Sequence, residues 1–290
     1  MPSRWIKIIF AFLLGLAFIA CTAPTPDRDN TSSSTEPAQR VVALTSLTAD
    51  IVEQLAPNTL VGSVESPLLA KDIRFQDLPK VSNARTPPNL EKIVALKPDL
   101  VIGARGFHDR ALDKLQDLGI ATITTKVTSW DGLLEVTKTL AKAIDADPSP
   151  LLKRYQTFLA DIPDSSPSVL VLFQRQPILS PNKNSWAGDL LNKFKVKNLA
   201  ASIQGKSPFR GYITLSAEKI LQENPEIVLV ADFARQGILQ EFKSEPFWSQ
   251  LQATQNGRVY IFEYYGLVNP GSINKIEETC TKLKEALASQ

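Results

Sequence analysis

Three arginines follow runs of aliphatic residues and are the side chains best suited to bind an anion. Arg105, Arg175 and Arg235 each lie two to five positions after such a run. An aliphatic run without polar alternation is typical of a parallel strand that is buried on both faces, and ligands of open α/β sheets bind beyond the carboxyl ends of the strands. Because a guanidinium offers planar donors that match carboxylate or hydroxamate oxygens, these arginines predict a site for an anionic, oxygen-rich ligand.

Aromatic and polar residues occupy the same positions after the predicted strands and would complete the walls of that site. They are Phe107, His108, Gln174, Asp232, Phe233, Tyr264 and Tyr265. Aromatic rings line many small-molecule sites because they supply apolar surface. Each arginine alone could equally be a solvated surface charge, so the prediction depends on the whole set.

Metal chemistry is limited by the number of available ligands. The chain has one histidine, His108, and two cysteines, whereas a site for a bare transition metal usually collects several such side chains or carboxylates. Free zinc or manganese is therefore not expected as cargo. His108 has two open interpretations, as an axial haem ligand or as a polar wall residue.

The sequence lacks the motifs of common catalytic sites. It has no Gly-x-Ser-x-Gly elbow, no Gly-x-Gly-x-x-Gly after the first predicted strand and no phosphate-binding loop. The net charge is +2, and the first twenty residues carry two basic residues and no acid, so the remainder is neutral. A neutral chain gives no electrostatic argument for nucleic acid. We therefore expect a binding protein without enzymatic activity, resident cofactor or nucleic-acid partner.

A repeated segment is predicted to position these side chains. Residues 91–102 and 218–229 both contain Glu-Lys-Ile, an aliphatic residue, three variable positions, a proline, an acid and three aliphatic residues, in that order. Asn89 and Ser216 precede the copies as good helix N-caps, the proline ends the helix, and the aliphatic residues continue as a strand. Two similar α/β halves are therefore predicted.

The first twenty residues resemble an export signal. Arg4 and Lys7 precede an apolar segment that is too short to span a bilayer comfortably. The following Phe-Ile-Ala-Cys resembles a bacterial lipobox, in which Cys21 becomes the lipidated first residue, although phenylalanine stands where an aliphatic residue is usual. The alternative is an ordinary signal peptide with an incidental cysteine. A lipid on Cys21 would tether the protein to a membrane.

The predicted elements divide the chain into five parts. These are a signal peptide (1–20), a flexible tether (21–39), an N-terminal α/β lobe (40–129), a connecting helix (130–163) and a C-terminal α/β lobe (164–290). Alternation of strands and helices predicts mostly parallel sheets flanked by helices. Thr48 is predicted to cap the first helix, residues 247–251 are predicted to be helical, and Pro148 either kinks one long connecting helix or separates two.

This order of elements resembles the substrate-binding proteins of bacterial ABC importers for iron-siderophores and cobalamin. The resemblance covers residues 40–287 and is strongest over residues 88–102, with weaker support from Pro-Phe-Trp at 246–248 and Gly-Arg-Val-Tyr at 257–260. It implies two α/β lobes joined by a single long helix, with a ligand held between them. Pro148 departs from that pattern, because proline lacks the N–H that a continuous helix needs.

The resemblance also implies roles for single residues. In this family a glutamate at the tip of each lobe docks onto arginines of the membrane permease, and those glutamates correspond to Glu91 and Glu218. Helix capping alone is the simpler alternative. Residues 85–91 resemble the hydroxamate-siderophore branch, in which the arginine at the position of Arg85 contacts the ligand. Other residues lie in segments whose counterparts often face the cleft, namely Trp186, Arg210 and Tyr212.

The implied function is capture of a ferric siderophore, or a similar anionic chelate such as iron citrate, and its delivery to an ABC permease. Several arginines favour such a chelate over cobalamin, which does not need them. Iron would travel within the chelate and not as a cofactor. We expect a monomer that is lipid-anchored in the periplasm. The alternatives are a cobalamin- or haem-binding protein of the same fold, or an envelope sensor or chaperone that is not coupled to transport.

Overall fold

The computed structural model describes residues 36–83, 86–201, 203, 210–233 and 237–289. The predicted signal peptide, Cys21, Arg85 and Arg235 lie outside these ranges. No helix within them combines the length and the apolar character needed to cross a membrane.

The N-terminal lobe is a five-stranded parallel sheet with helices between its strands. Its elements are β1 (Val41–Ala43), α1 (Ser46–Leu55), β2 (Leu60–Glu65), β3 (Lys80–Asn83), α2 (Leu90–Ala95), β4 (Leu100–Ala104), α3 (Asp109–Asp117) and β5 (Ala121–Thr125). The strand order is β3-β2-β1-β4-β5. Two short 3₁₀ turns, Leu69–Lys71 and Ile73–Phe75, lie between β2 and β3.

The C-terminal lobe combines a parallel sheet with a smaller antiparallel one. Its elements are β6 (Ser168–Leu172), β7 (Gln174–Arg175), β8 (Ile178–Pro181), α6 (Trp186–Lys193), β9 (Lys197–Asn198), β10 (Tyr212–Leu215), α7 (Ala217–Glu223), β11 (Ile227–Asp232), α8 (Ile238–Lys243), α9 (Gln252–Gln255), β12 (Val259–Glu263), α10 (Tyr264–Leu267) and α11 (Ile273–Ala288), numbered after the two connecting helices described below. The parallel order is β12-β11-β6-β9, and the antiparallel order is β10-β8-β7. The predicted α/β architecture is confirmed, although the antiparallel sheet was not predicted and residues 247–251 contain only a 3₁₀ turn, Trp248–Gln250.

The connection between the lobes is formed by two helices. These are α4 (Trp130–Ala143) and α5 (Ser149–Phe158). The single long helix that the resemblance implies is wrong for this chain. Asp145 has a positive φ of 53°, and Pro148 has no N–H to continue the helical ladder, so the helix stops and a second one starts.

Side-chain caps fix where several helices begin. Thr45 accepts the N–H of Thr48, and α1 starts at Ser46, so the predicted cap at Thr48 is wrong by three positions. Thr45 has the extended backbone conformation that a cap needs. The predicted caps at Asn89 and Ser216 are confirmed, since each accepts a backbone N–H from the third residue that follows it.

The internal repeat is confirmed in detail. In the first copy, the Asp99 carboxylate accepts the N–H of Arg40, just before β1. In the second copy, the Glu226 carboxylate accepts the N–H of Ser168, at the start of β6. The acid of each repeat therefore anchors the start of the neighbouring parallel strand. Each repeat helix is also followed by a residue with positive φ, namely Lys97 and Asn224.

Ala38 and Gln39, the last residues of the predicted tether, contact the folded lobes. Ala38 is buried, and its N–H donates to the carbonyl of Ala143 at 2.9 Å. The N–H of Gln39 donates to the Asp99 carboxylate. These contacts hold the last residues before β1 against the folded lobes, so the extension of the tether to residue 39 is wrong.

The two lobes share one apolar core at their interface. Trp130, at the start of α4, stacks on Trp186, at the start of α6, with ring centroids 6.0 Å apart. Tyr155 and Phe158 of α5 contact the same indole ring edge-on. These rings belong to a cluster that includes strands of both lobes. Burial of large aromatic side chains is strongly stabilising, so the lobes are held together by packing as well as by the chain.

Candidate functional site

The carboxyl ends of strands from both lobes meet near the interface. Trp130, the first residue of α4, lies five residues after the end of β5. Its backbone N–H donates to the Asp189 carboxylate of α6 at 2.7 Å. Gly271 lies between Leu68, which follows β2, and Tyr265, which follows β12. A Cβ on Gly271 would lie 2.6 Å from Leu68 and 2.5 Å from Tyr265, so glycine permits this close approach of the lobes. The expected position of a ligand, beyond the strand ends, therefore lies where the lobes meet.

Five aromatic rings form a connected cluster at the strand ends of the C-terminal lobe. We call Phe173, Tyr212, Phe233, Tyr264 and Tyr265 the aromatic cluster. Their ring centroids are separated, in successive contacts, by 5.2 to 6.1 Å. The rings come from the ends of β6, β11 and β12 and from the start of β10, which brings together positions that are distant in sequence. The five rings therefore form one continuous aromatic group at this end of the sheet.

The three tyrosines of the aromatic cluster carry available hydroxyl groups. Within the described residues, no protein group hydrogen-bonds the phenol oxygens of Tyr212, Tyr264 and Tyr265, whereas buried Tyr155 has Thr137 as a partner. Burial raises the pKa of Tyr212 to about 12 and also raises the pKa of Tyr264 and of Tyr265. All three are therefore neutral at physiological pH and can both donate and accept hydrogen bonds.

The N-terminal lobe contributes an exposed loop between β4 and α3. Arg105 is exposed, and Phe107 has 87% of its surface accessible. A single exposed apolar side chain is common on protein surfaces, so the exposure of Phe107 shows only that its ring is accessible. The predicted placement of both residues just after a strand is confirmed, and their availability is consistent with a ligand-facing role.

Arg175 is not a free cation, as the prediction required, because it is paired with a carboxylate. It lies in β7 and forms an ion pair with Glu245. A guanidinium that already has a carboxylate partner is less available to an anionic ligand, because that partner would have to be displaced. Glu245 lies 70 residues away in sequence, so no local signal indicated that Arg175 has a carboxylate partner.

Trp186 is placed wrongly by the prediction. Only 2% of its surface is accessible, it stacks on Trp130, and its indole N–H donates to the carbonyl of Gly266 at 2.7 Å. It therefore belongs to the interface core and does not form a wall of the cleft. Gly266 directly follows Tyr264 and Tyr265, so this hydrogen bond fixes the backbone next to two rings of the aromatic cluster.

The remaining residues that were predicted to contact the ligand do not all lie in one place. Tyr212 and Tyr264 belong to the aromatic cluster. Arg210 is exposed beside Tyr212. Arg85 and Arg235 lie outside the described residues, so the proposed convergence of arginines stays a prediction. Phe173 was not predicted as a site residue, although its position at the end of an aliphatic run was a usable signal.

The two predicted docking glutamates occupy equivalent positions. Glu91 and Glu218 are each the second residue of a short helix, and both are exposed. Hydrogen bonds from its own backbone N–H and from Ser216 hold the pKa of Glu218 below its usual range. It is therefore ionised at neutral pH and presents a negative charge to solvent.

The described residues contain no group of three or more His, Cys, Asp or Glu side chains that could hold a metal ion. The aromatic cluster and the Arg105 loop instead provide apolar surface, neutral hydrogen-bonding groups and a cation. This combination is suited to binding an organic ligand.

Most of the chain matches the model of a known family. The chain belongs to the periplasmic binding protein family, whose model matches residues 41–264. Members of this family bind a substrate and are not enzymes.

Relatives with known names extend the comparison. The Fe(3+) dicitrate-binding periplasmic protein FecB of Escherichia coli (strain K12) is 23% identical over 265 residues, covering 88% of this chain and 87% of that protein. The Fe(3+)-citrate-binding protein YfmC of Bacillus subtilis (strain 168) is 24% identical, but the match covers 61% of this chain and 57% of that protein. The crystal structure of the periplasmic vitamin B12 binding protein BtuF of Vibrio cholerae superposes with a TM-score of 0.66 and 22% identity, covering 87% of this chain and 99% of that one. The superposition shows that the fold is shared.

Proposed function

We propose that this protein is the substrate-binding component of an ABC importer and that it captures a ferric siderophore or a similar anionic iron chelate between its lobes. The main support is the aromatic cluster, whose three phenol hydroxyls have no hydrogen-bond partner among the described residues and lie at the strand ends where the lobes meet. The names of the two ferric citrate-binding relatives point to the same kind of cargo.

The chemistry of the site suits an oxygen-rich chelate. Phenol hydroxyls donate to carboxylate or hydroxamate oxygens without adding charge, and the exposed guanidinium of Arg105 adds a charged donor. The aromatic faces contact the carbon skeleton of the ligand and exclude water. A chelate that carries both polar oxygens and apolar surface would use all of these groups.

Cobalamin is the second candidate, and one observation favours it. Because Arg175 is already paired with Glu245, the described part of the C-terminal wall is less cationic than the sequence suggested. The structural neighbour named as a vitamin B12 binding protein fits that observation. A neutral, aromatic wall suits a large ligand with little negative charge.

A ligand panel tests the proposal. The purified protein is titrated with ferric citrate, ferric hydroxamate siderophores, haem and cobalamin, while calorimetry and tryptophan fluorescence follow binding. We expect saturable binding of an iron chelate and none of the iron-free chelator at the same concentration. Tight binding of cobalamin without any response to iron chelates would reject the iron assignment and support the second candidate.

Tyr264 is expected to contribute strongly to ligand affinity. It contacts Phe173, Phe233 and Tyr265 and so occupies the centre of the aromatic cluster. The variant Tyr264→Ala should bind the chelate about tenfold more weakly or worse, and Tyr264→Phe should lose about threefold to tenfold, since it removes only the hydroxyl. Calorimetry on the folded variants provides the measurement.

The control for this prediction is a tyrosine outside the aromatic cluster. Tyr260→Phe, at the second position of β12, removes a hydroxyl four residues before Tyr264 and should leave affinity unchanged. Equal affinities for wild type and Tyr264→Ala would show that the aromatic cluster does not bind the ligand.

Delivery of the ligand would use the two exposed glutamates. We propose that Glu91 and Glu218 each bind a cationic side chain of the permease, one per lobe. Their equivalent positions in the repeat suit a partner that contacts both lobes at once. An envelope sensor or chaperone would not require this pair of charges.

Lipid attachment at Cys21 would hold the protein in the periplasm near its permease. We expect the full chain to partition into detergent on phase separation and Cys21→Ser to partition into the aqueous phase, because the variant lacks the thiol that carries the lipid. Signal-peptide cleavage and ligand affinity of any cleaved Cys21→Ser protein serve as controls. Detergent partitioning that is the same for both forms would contradict lipidation at Cys21.

A further inference from the structure

His108, the only histidine of the chain, makes a specific contact with the loop that carries Arg105. Its ring nitrogen Nδ1 accepts the N–H of Ala104 at 2.9 Å. The strand β1 ends opposite Ile102, so Ala104 extends beyond the neighbouring strand and has no backbone partner there. The His108 ring and the His108 N–H, which donates to the Ala104 carbonyl at 3.0 Å, take the place of that strand.

Residues 105–107, here called the β4–α3 loop, are held in place by hydrogen bonds to the residues on either side of them. The N–H of Gly106 donates to the Asp109 carboxylate at 2.9 Å, and the N–H of Phe107 donates to the Ala104 carbonyl at 3.2 Å. A Cβ on Gly103 would lie 2.9 Å from the Cβ of His108, so glycine allows the ring to approach β4. The loop is therefore held at its base by His108 and Asp109.

The contact determines which nitrogen of His108 carries the proton. Because Nδ1 faces an N–H donor, it must be an acceptor, and the proton of the neutral ring lies on Nε2. Coordination of haem iron through Nε2 would require the proton to move to Nδ1, where it would oppose the Ala104 N–H. The geometry therefore argues against the haem-ligand interpretation of His108.

We propose that His108 is a positioning residue for the cargo site: its neutral ring holds the β4–α3 loop, with Arg105 and Phe107, in the conformation that receives the ligand, and protonation releases the loop. This inference rests on the proposed function, since it assumes that Arg105 and Phe107 contact the cargo. It adds a pH-dependent control of affinity that acts through the protein and not through the ligand.

The charges around His108 determine the direction of the pH effect. Burial lowers the pKa of His108, while Asp109 opposes that change. Asp109 is the charged group acting on the ring among the described residues, and Gly103, which lies next to the His108 Cβ, is apolar. Since the folded pKa lies below the ordinary value of about 6.5, the neutral ring stabilises the loop above about pH 6.5, and this contribution is lost as pH falls through the folded pKa.

Histidine spectroscopy tests the tautomer without any ligand. In full chain that carries ¹⁵N-labelled histidine and no histidine tag, the single imidazole belongs to His108. We expect the Nε2–H tautomer at neutral pH and a titration midpoint below about 6.5. An Nδ1–H tautomer, or a midpoint at or above that of free histidine, would overturn the proposal even if the protein binds iron chelates well.

Two isosteres then separate positioning from ligand contact. In His108→Asn, the amide oxygen takes the place of Nδ1, whereas in His108→Gln the polar group reaches the place of Nε2. With ferric citrate as the probe, His108→Gln and His108→Ala should bind about tenfold more weakly than wild type at neutral pH. His108→Asn should retain affinity and should lose the decrease that wild type shows between about pH 7.5 and about pH 5.

The reverse pattern, in which His108→Gln retains affinity and His108→Asn does not, would show direct ligand contact and refute positioning. ¹⁵N relaxation of the Gly106 and Phe107 amides provides a readout that needs no ligand. Motion there should increase on acidification in wild type and stay constant in His108→Asn. If ferric citrate does not bind wild type at all, the proposed cargo fails, while the relaxation and tautomer data still support or reject the role of His108.

Discussion

Charge reversal of Glu91 and Glu218 together is expected to abolish uptake of the cargo while leaving its binding in solution unchanged. Each substitution to lysine would place a cation against the cationic side chain that we propose on the permease, and such like-charge contacts cost several kcal/mol. The double variant should therefore lower uptake about a hundredfold or more. Both glutamates are exposed, so folding should not be affected.

The measurement is accumulation of labelled iron chelate by cells that depend on this protein, with calorimetric affinity measured in parallel. A matched control is Glu135→Lys with Glu285→Lys, which changes the total charge equally at two exposed acids outside the repeat. Either single reversal should give a partial loss, because each lobe docks separately. Normal uptake by the double variant would mean that these glutamates only cap helices, or that the protein is not coupled to transport.

Asp50→Ala is expected to cause a large decrease in the free energy of unfolding. The Asp50 side chain is 2% exposed and lies 3.0 Å from the Arg74 guanidinium. It also accepts the N–H of Ile273 at 2.8 Å and a hydrogen bond from Gln54. Asp50 belongs to α1 of the N-terminal lobe, and Ile273 begins α11, so one buried carboxylate links the lobes.

Removal of this carboxylate leaves the buried N–H of Ile273 without its acceptor and leaves the Arg74 guanidinium paired with Asp72 alone. A buried donor left unsatisfied costs about 1–3 kcal/mol and a hydrogen bond to a charged group about 1.5–3 kcal/mol, so the two losses together should cost about 3–5 kcal/mol of unfolding free energy. Urea unfolding of Asp50→Ala should show a decrease of that size. Asp72→Ala is the matched control, because Asp72 pairs with the same guanidinium in a more exposed position and should cost less than about 1 kcal/mol. Equal losses in the two variants would contradict a special role for Asp50.

Several features were predictable because their causes are local. The repeat helices are positioned by caps at Asn89 and Ser216 and end before proline, and both signals lie within a few residues of the elements they control. The break between α4 and α5 also had a local signal in Pro148, although the family resemblance favoured one helix. The acid that follows each proline was visible in sequence, but its role at the start of the neighbouring strand was not.

The errors concern side chains whose partners are distant in sequence. Arg175 was interpreted as free, and Glu245 neutralises it from another element. Trp186 was interpreted as a cleft residue, and packing on Trp130 buries it instead. The sequence placed Tyr264 and Tyr265 after a strand, but their contacts with Phe173 and Phe233 depend on the order of strands in the sheet.

The sequence by itself determined the α/β class, the duplication and the ends of the strands, because hydrophobic runs, caps and prolines act over short distances along the chain. Only the tertiary structure decided which side chains at those ends are available, because burial and pairing depend on elements brought together from both lobes. The aromatic cluster, the neutralised Arg175 and the Asp50 link between the lobes all arise from such contacts.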